Sequence, residues 1–211
     1  MTAPPRPRSR RGEGALLRAE ILDAAKDLLA ETASEDAVSI RAVAQRVGVT
    51  PPSIYRHFAD KDRLLLEVCH ESFDRFAAAL EGPAAAADPI ERIAALGRAY
   101  VEYAVDFPEH YRIMFMARFE LSAQEYAEEM IRDESTFGIL LRTSQDLIDA
   151  GLIRPDLADR GALHVGILFW SAVHGLASLF VAKPGLPWPD REQLVEDLVD
   201  VAVAGITASA S

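Results

Sequence analysis

The chain has 211 residues, of which 50% are hydrophobic, and a formal net charge of −11. A chain of that length can bury a substantial core as one or two domains. Its single cysteine, Cys69, excludes an internal disulfide and agrees with a reducing compartment. We expect no apolar run of the ~20 residues that a membrane helix needs, and no apolar segment follows the N-terminal Arg and Pro residues as in a signal peptide. These properties predict a cytoplasmic protein without membrane contact.

The negative charge is concentrated outside the N-terminal part of the chain. Residues 1–62 contain 10 Lys or Arg and 9 Asp or Glu, a balance of +1, whereas residues 63–211 contain 12 and 24, a balance of −12. A neutral-to-basic end can approach a polyanion while the acidic remainder helps to orient it. Residues 1–14 are rich in Pro, Arg, Ser and Gly and are predicted to be a disordered basic tail. Such a tail is either a solvated segment or an arm that contacts phosphates or the minor groove of DNA.

Hydrophobic residues spaced by three or four predict helices along the whole chain, and no segment has the alternation of a strand. The first helix has its apolar stripe in residues 17–29. Asp60 is the expected N-cap of a long helix that ends at residues 82–83. Asp88 caps the next helix, with Pro89 at its first position.

Three further long helices are predicted in the C-terminal half. Ser122 is expected to open the first of them, which closes at Gly151. Pro155 begins the second, which is very apolar and ends near residue 183. The last helix starts at residues 189–190.

A helix–turn–helix pattern occupies residues 39–61. Ser39 is a helix N-cap, and apolar residues follow it at helical spacing. Gly48 ends that helix where a positive φ is needed. Only Ile54 and Phe58 of the next helix are expected in the core.

The second helix of this pattern has an unusually polar outer face. Thr50 is its expected N-cap, and Pro51 has the fixed φ that suits a first turn. Its outward residues are Pro52, Ser53, Tyr55, Arg56 and His57. In a helix–turn–helix, such a helix enters the major groove of DNA, where its side chains meet base edges and phosphates.

Residues 20–66 resemble the DNA-binding domain of the TetR family of transcriptional regulators. The resemblance rests on the segments Ile21-Leu22-Asp23-Ala24-Ala25, Ser39-Ile40-Arg41-Ala42-Val43-Ala44, Gly48-Val49-Thr50-Pro51-Pro52-Ser53-Ile54-Tyr55-Arg56-His57-Phe58, Lys61 and Leu64-Leu65. It implies an all-α protein in which a three-helix helix–turn–helix domain (residues 15–62) precedes a helical ligand-binding and dimerisation domain (residues 63–211).

The same resemblance implies a function. We expect a homodimeric repressor that binds palindromic double-stranded operator DNA and is released by a small, largely apolar effector. The expected dimer seam is formed by the last two long helices, about residues 157–182 and 189–207. No enzyme activity and no cofactor are implied.

Carried over by resemblance, the DNA-contacting set is Ser39, Arg41, Thr50, Pro51, Pro52, Ser53, Tyr55, Arg56, His57 and Lys61. Arg41 can fork onto the O6 and N7 atoms of a guanine. Lys61 suits a phosphate, because backbone N–H groups at a helix N-terminus also favour an anion. The alternative is that these side chains are ordinary surface residues of a helical hairpin.

In the larger part of the chain, Trp170, His174 and Gly175 resemble a Trp…His-Gly signature found in the C-terminal domains of one branch of the family. Trp170 and His174 are four residues apart and share a helix face, and Gly175 is expected to allow close approach of another helix. This helix then lies at a pocket wall and at the dimer seam. The alternative is a core tryptophan beside one hydrogen-bonded histidine.

Aromatic residues are dense in the middle helices, where pockets of helical bundles lie. The candidate pocket residues are Tyr100, Tyr103, Phe107, Tyr111, Phe115, Phe119, Phe137, Phe169, Trp170 and His174. An ordinary core explains many of them equally well.

Other kinds of site have weak support. Glu67, His70 and Glu71 share a helix face, but a metal site in a bundle needs matching sets on other helices, and none is evident. The rival function is a helical carrier or enzyme with a vestigial DNA-binding end. It is disfavoured because a carrier has no reason to retain Arg41 or Lys61.

Overall fold

The computed structural model describes residues 13–32, 37–115 and 135–208 of the chain. These residues form α-helices with one isolated β-bridge, between Ile153 and Thr207, and no strand, as predicted. The helices are α1 (Glu13–Thr32), α2 (Ile40–Val47), α3 (Pro51–Tyr55), α4 (Lys61–Ala84), α5 (Pro89–Asp106), α6 (Pro108–Phe115), α7 (Thr136–Asp149), α8 (Pro155–Ala158), α9 (Ala162–Ala182) and α10 (Arg191–Ile206).

Contacts divide the described residues into two compact units. The N-terminal unit comprises those up to Ser72 together with those from Glu109 to Phe115. The C-terminal unit comprises Phe73–Pro108 and the residues from 135 onward. Helix α4 contributes its first half to one unit and its second half to the other, so the sequence-based domain boundary after residue 62 stays a prediction.

The caps of α2 are those that the sequence predicts. The Ser39 hydroxyl oxygen accepts a hydrogen bond from the Ala42 amide at 3.1 Å. Gly48 has a φ of 74°, a conformation that residues with a side chain rarely adopt.

Thr50 does not cap α3 as the sequence predicts. It stands at the N-cap position of α3, but its hydroxyl lies 3.2 Å from that of Ser53 and caps no backbone amide.

Several helix limits differ from the sequence-based ones. Helix α1 begins at Glu13, inside the expected tail, of which residues 1–12 lie outside the described part. The long helix expected from Ser122 to Gly151 is not continuous, and its expected start at Ser122 lies outside the described residues. Ser135 caps a helix that begins at Thr136, its hydroxyl accepting from the Gly138 amide at 2.9 Å. Residues 116–134 lie outside the described part.

The apolar helix expected from Pro155 is two helices. The short α8 ends at Ala158, and Gly161 has a φ of 84°, which interrupts the helical path before α9 begins at Ala162. A pattern of apolar residues does not register such a break, because the apolar spacing continues on both sides of it.

Helix α9 corrects the expectation that no apolar run reaches membrane-spanning length. It has 21 residues without a charged side chain and a mean hydropathy of 1.8, and by length and composition it is the one helix among the described residues that could cross a membrane. Glycines, histidines and serines interrupt its apolar residues, so a count of unbroken apolar runs misses the length of the helix. Of its most apolar window, 44% is buried inside the protein. It is the central helix of the C-terminal unit and packs against α5, α7 and α10.

The connection between α9 and α10 is ordered by ring contacts. The rings of Phe180 and Trp188 pack edge to face with centroids 4.8 Å apart. The guanidinium carbon of Arg191 lies 5.2 Å from the centroid of Phe180. Trp188 Nε1 donates to the Lys183 carbonyl at 3.0 Å, and Arg191 donates to the Pro184 carbonyl at 3.3 Å. The hairpin of α9 and α10 is therefore held by contacts within one chain.

Candidate functional sites

Helix α3 is held to the N-terminal unit by two apolar anchors. Ile54 is completely buried and Phe58, just past the helix, is 3% exposed, as predicted. Tyr55, between them, is 54% exposed although it is large and aromatic. A five-residue helix anchored on one side thus presents its other side to solvent.

The structure places all ten predicted DNA-contacting residues in the N-terminal unit. The exposed members are Ser39, Arg41, Thr50, Pro52, Tyr55 and Arg56, and the half-buried members are Pro51, Ser53, His57 and Lys61. Three hydroxyls of the set already have partners: that of Ser39 caps α2, and those of Thr50 and Ser53 contact each other.

The Lys and Arg side chains from α1 to the first turn of α4 fall into two groups. Arg18, Lys26 and Arg46 are paired with carboxylates of α1 or α4, at distances of 2.6–2.9 Å. The carboxylates hold the pKa of Arg46 above its ordinary value, chiefly through the hydrogen bond that Arg46 donates to Glu31.

The second group has no ion-pair partner among the described residues. It consists of Arg41, Arg56, Lys61 and Arg63. All four lie in the helix–turn–helix or in the first turn of α4. The positive charge that remains uncompensated between α1 and the first turn of α4 is therefore concentrated on the predicted DNA-reading segment.

The start of α4 lies where the sequence predicts. Lys61 is its first residue, and the Asp60 carboxylate accepts from the Arg63 amide at 2.8 Å. His57 lies near the beginning of α1, since a Cβ atom on Gly14 would stand 4.0 Å from His57 Cε1. The first turn of α1 therefore lies beside one of the predicted DNA-reading residues.

A second cluster of polar and aromatic groups lies in the C-terminal unit. Trp170 Nε1 donates to the Tyr100 hydroxyl at 3.2 Å, and that hydroxyl lies 2.7 Å from Nδ1 of His174. The rings of Trp170 and His174 are 5.2 Å apart, which places them on one face of α9. Phe76 packs edge to face on Tyr100 at 5.3 Å, and Phe137 does the same on Trp170 at 5.6 Å.

His174 is half-buried, and burial lowers the pKa of its imidazole below the ordinary value of 6.5. Desolvation disfavours the charged form of the ring. A neutral imidazole has one donor and one acceptor nitrogen, so its hydrogen bond to Tyr100 bears on which nitrogen carries the proton.

The remaining candidate pocket residues are dispersed. Tyr103 is buried beside Phe76, with centroids 4.9 Å apart, and Phe107 is 42% exposed. Phe169 is buried against Gly97. Tyr111 and Phe115 contact each other in the N-terminal unit, and Phe119 lies outside the described residues. The pocket set stays a prediction, with its densest part around Tyr100.

The close approach of another helix expected at Gly175 does not occur among the described residues of one protomer. A Cβ atom on Gly175 would meet nothing within 4 Å, so no other helix approaches it closely in the described protomer. The sequence also did not predict that Tyr100 forms hydrogen bonds with Trp170 and His174. Tyr100 and His174 are 74 positions apart, and no spacing rule relates them.

Two models of known protein families match the chain. The model described as bacterial regulatory proteins of the tetR family matches residues 21–68. The model described as a tetracyclin repressor-like C-terminal domain matches residues 93–202, more than half of the chain. An uncharacterised helix–turn–helix transcriptional regulator of Haemophilus influenzae is 42% identical over 55 residues, which are 26% of this chain and 27% of that protein. The match therefore spans about a quarter of that relative.

Solved structures are similar over nearly the whole chain. A Rhodococcus protein of unknown function has a TM-score of 0.73 and 26% identity, and the match covers 91% of this chain and 96% of that one. A TetR family regulator of Marinobacter aquaeolei has a TM-score of 0.68 and 20% identity, with 94% and 99% covered. The Bacillus subtilis regulator FadR in complex with stearoyl-CoA has a TM-score of 0.71 and 18% identity, with 89% and 98% covered. The last two show likeness of fold.

Proposed function

This chain belongs to the TetR family of DNA-binding, ligand-responsive transcription regulators, which are not enzymes, and we propose that it is a cytoplasmic repressor. In this proposal it binds a palindromic operator as a homodimer and is released by a small, largely apolar effector. Members of the family typically act as dimers.

One observation carries the DNA-binding part of the proposal. Arg41, Arg56, Lys61 and Arg63 have no ion-pair partner among the described residues, whereas Arg18, Lys26 and Arg46 are paired with carboxylates of α1 and α4. Charge left uncompensated on one segment is available to phosphates, and it releases counterions when phosphates bind. A carrier or enzyme with a vestigial DNA-binding end would not benefit from this arrangement.

The proposal is tested with the full-length protein and a labelled duplex taken from upstream of its own reading frame. We expect saturable binding that is at least ten times tighter than binding to a scrambled duplex and that weakens steeply with salt. Equal affinity for both duplexes, or none for either, would support the carrier or enzyme instead.

The dimeric part of the proposal is supported by an apolar face on α9. Leu163, Ile167, Leu168 and Leu179 are each exposed by 42–51%, and Val201 of α10 is exposed by 70%. Helix α9 has no charged side chain to keep this face in water. Exposed apolar side chains gathered on one element favour an interaction site, and two copies of one helix can pack about a two-fold axis.

The nature of the effector is supported by two arginines of α5, the helix that carries Tyr100. Arg98 is paired with Glu91 at 2.6 Å and with Glu196 at 3.2 Å, and Arg92 is paired with Asp146. These arginines are engaged by carboxylates, so a multiply charged effector would lose its hydration without compensation. The solved neighbour with stearoyl-CoA supports the fold and not the identity of this effector, since it is only 18% identical.

Release from DNA follows from linkage. An effector that prefers a conformer with mis-spaced α3 helices lowers DNA affinity, and operator DNA lowers effector affinity by the same factor. A coupling of 1–3 kcal/mol corresponds to roughly 5- to 150-fold weaker DNA binding.

A further inference from the structure

Helix α3 is too short to fix its own orientation. It has five residues, from Pro51 to Tyr55, and no side chain caps its N-terminus. An isolated helix of this length is unstable in water, so packing has to hold it in place. Its buried anchors are Ile54 and, just past its end, Phe58. The orientation of the predicted DNA-reading side chains therefore depends on what holds these two anchors.

Phe58 is held by a side chain of α1. The guanidinium carbon of Arg18 lies over the Phe58 ring, 5.1 Å from its centroid. The negative face of an aromatic ring attracts a cation in this position. One turn earlier on the same face of α1, a Cβ atom on Gly14 would stand 4.0 Å from His57 Cε1. Two consecutive turns of α1 thus lie against the two residues just past the end of α3.

Arg18 is itself oriented by α4. Its Nη2 atom lies 2.9 Å from a carboxylate oxygen of Glu67, and the two side chains are 40% and 42% exposed. An ion pair so exposed to solvent adds little stability of its own. Its effect is geometric, because the donors of a planar guanidinium have fixed directions, and the pairing limits where that plane can lie over the Phe58 ring. We call Arg18, Phe58 and Glu67 the clamp.

The clamp differs from the neighbouring ion pairs of the N-terminal unit. Lys26 of α1 pairs with Glu71 of α4 at 2.7 Å, and Arg46 of α2 pairs with Glu31 of α1 at 2.6 Å. Among the described residues, neither of these cations lies over an aromatic ring. They join helices to each other, whereas Arg18 also joins them to an anchor of α3.

We propose that Arg18 is a positioning residue for operator recognition, which holds the end of α3 so that the outward side chains of this helix reach base edges. This inference rests on the proposed function, because it concerns the reading of the same operator. Lys61 and Arg63 lie at the start of α4 and do not depend on the clamp for their contact with phosphates. Loss of the clamp therefore reduces sequence discrimination and leaves non-specific binding unchanged.

The test variant is Arg18→Met with Glu67→Gln, which removes two members of the clamp and leaves the net charge of the protein unchanged. Its matched control is Lys26→Met with Glu71→Gln. The control also removes a cation of α1 and its carboxylate on α4, but it leaves the contact of Arg18 with Phe58 in place. A difference between the two variants therefore reports the clamp and not the loss of an ion pair.

The hold on α3 is measured without DNA, by amide hydrogen exchange in the full-length protein. The Phe58 amide donates to the Ile54 carbonyl at 3.0 Å. The reference is the Val43 amide of α2, which donates to the Ser39 carbonyl at 3.0 Å. We expect the exchange rate of Phe58 relative to Val43 to rise roughly 3- to 10-fold in the test variant, which is the usual strength of one cation–π contact.

The control variant should keep the wild-type ratio of these two rates, because global destabilisation accelerates both amides together. An unchanged ratio in the test variant, or an equal rise in both variants, overturns the proposal. A second variant, Arg18→Lys, keeps a positive charge beside Glu67 but lacks the planar group. We expect its ratio to rise at least about 2-fold. If the test variant does not fold, a wild-type ratio in Arg18→Lys overturns the proposal.

Discrimination is measured with the upstream duplex and its scrambled version. In the test variant we expect the preference for the upstream duplex to fall roughly 3- to 10-fold, while the affinity for the scrambled duplex and the salt slope stay at their wild-type values. The control variant should keep the wild-type preference. A salt slope reduced by about 1 with the preference intact would identify Arg18 as a phosphate contact and overturn its positioning role.

These outcomes are separable from a failure of the proposed function. If the wild-type protein binds both duplexes alike, the repressor is rejected, and the exchange ratios still decide whether Arg18 holds α3. If wild type and the test variant discriminate equally well between the duplexes, the repressor is retained and the positioning role of Arg18 is rejected.

Discussion

Gly97 on α5 makes room for the ring of Phe169 on α9. A Cβ atom on Gly97 would stand 2.7 Å from Phe169 Cζ and 3.2 Å from its Cε1. Real Cβ atoms essentially never come within 3.0 Å of such an atom, so the 2.7 Å contact cannot stand unchanged. The same Cβ atom would also lie 3.2 Å from Val199 Cγ2 of α10. The absence of a side chain at residue 97 thus lets three helices of the C-terminal unit pack together.

Gly97→Ala should therefore destabilise the C-terminal unit, although alanine favours helices. Overpacking a buried site costs about 1–3 kcal/mol. Gly82→Ala is the matched control, because a Cβ atom on this helical glycine would meet nothing within 4 Å. Denaturant unfolding of both variants gives the comparison. A Gly97→Ala protein as stable as wild type would show that Phe169 moves aside at no cost.

Specificity and affinity should respond to different cations of the helix–turn–helix. Arg41→Ala is expected to cost roughly 1–3 kcal/mol at one base position and to relax the preference there. Lys61→Ala should weaken binding to all sequences alike and reduce the salt slope by about 1. Arg75→Ala, an exposed α4 substitution beyond the N-terminal unit, is the control. Binding to a panel of single-base operator variants at several salt concentrations measures both effects. An altered base preference in Lys61→Ala contradicts the assignment.

The two halves of the operator should have a fixed spacing. A two-fold dimer presents two α3 helices, which enter successive major grooves about 34–36 Å apart or a near multiple. Inserting five base pairs between the half-sites turns one of them to the opposite face of the duplex, and binding should be lost. Inserting ten restores the facing and is the control. Unchanged affinity after the five-base-pair insertion is incompatible with a rigid dimer.

The apolar face of α9 should hold the two copies together. Ile167→Glu places a charge on this face, and we expect the mass in solution to fall from that of a dimer to the 23.1 kDa of one chain. Desolvating an unpaired carboxylate in an interface is costly, which explains the effect. Val105→Glu alters an exposed valine of α5 and should leave the mass unchanged. Light scattering with size-exclusion chromatography reports the outcome, and a dimeric Ile167→Glu protein would place the seam elsewhere.

The half-buried His174 should make folding stability depend on pH. Its pKa is lowered in the folded protein by desolvation, so the unfolded chain binds the proton more readily. The stability that this neutral ring contributes is present above the ordinary value of 6.5 and is lost as the pH falls through the folded-state pKa. Denaturant midpoints at pH 7.5 and 5.5 should therefore differ less in His174→Phe than in wild type. His164→Asn on the same helix is the control, and an identical pH response in wild type and His174→Phe would sink the prediction.

The predictions that succeeded depend on single residues whose chemistry is local. Ser39 and Asp88 have side chains that cap their own helices, and Gly48 has the left-handed conformation that a non-glycine residue avoids. Such features are visible within four residues of sequence. The failures have the opposite character. The helix start at Ser135 and the break at Gly161 lie inside runs whose apolar spacing continues on both sides.

The candidate sites also differ in whether their residues are close together in the sequence. The DNA-reading residues lie within 23 consecutive positions, from Ser39 to Lys61, so their sequence pattern already places them together. The ion pair of Arg46 with Glu31 joins two helices across 15 positions, and the hydrogen bond of Tyr100 with His174 joins two helices across 74 positions. Only helix packing decides which distant side chains meet, and residue types alone do not express it.

The ring contacts that order the connection between α9 and α10 have a kinetic consequence. Phe180, Trp188 and Arg191 set the angle of this hairpin within a single chain. Two subunits of the proposed dimer would then meet as preformed bodies, and association would need no folding step. Subunits from two populations should exchange at the rate at which dimers separate. When a variant that cannot bind DNA is mixed with the intact protein, we expect heterodimers to form and the operator binding of the intact protein to be reduced.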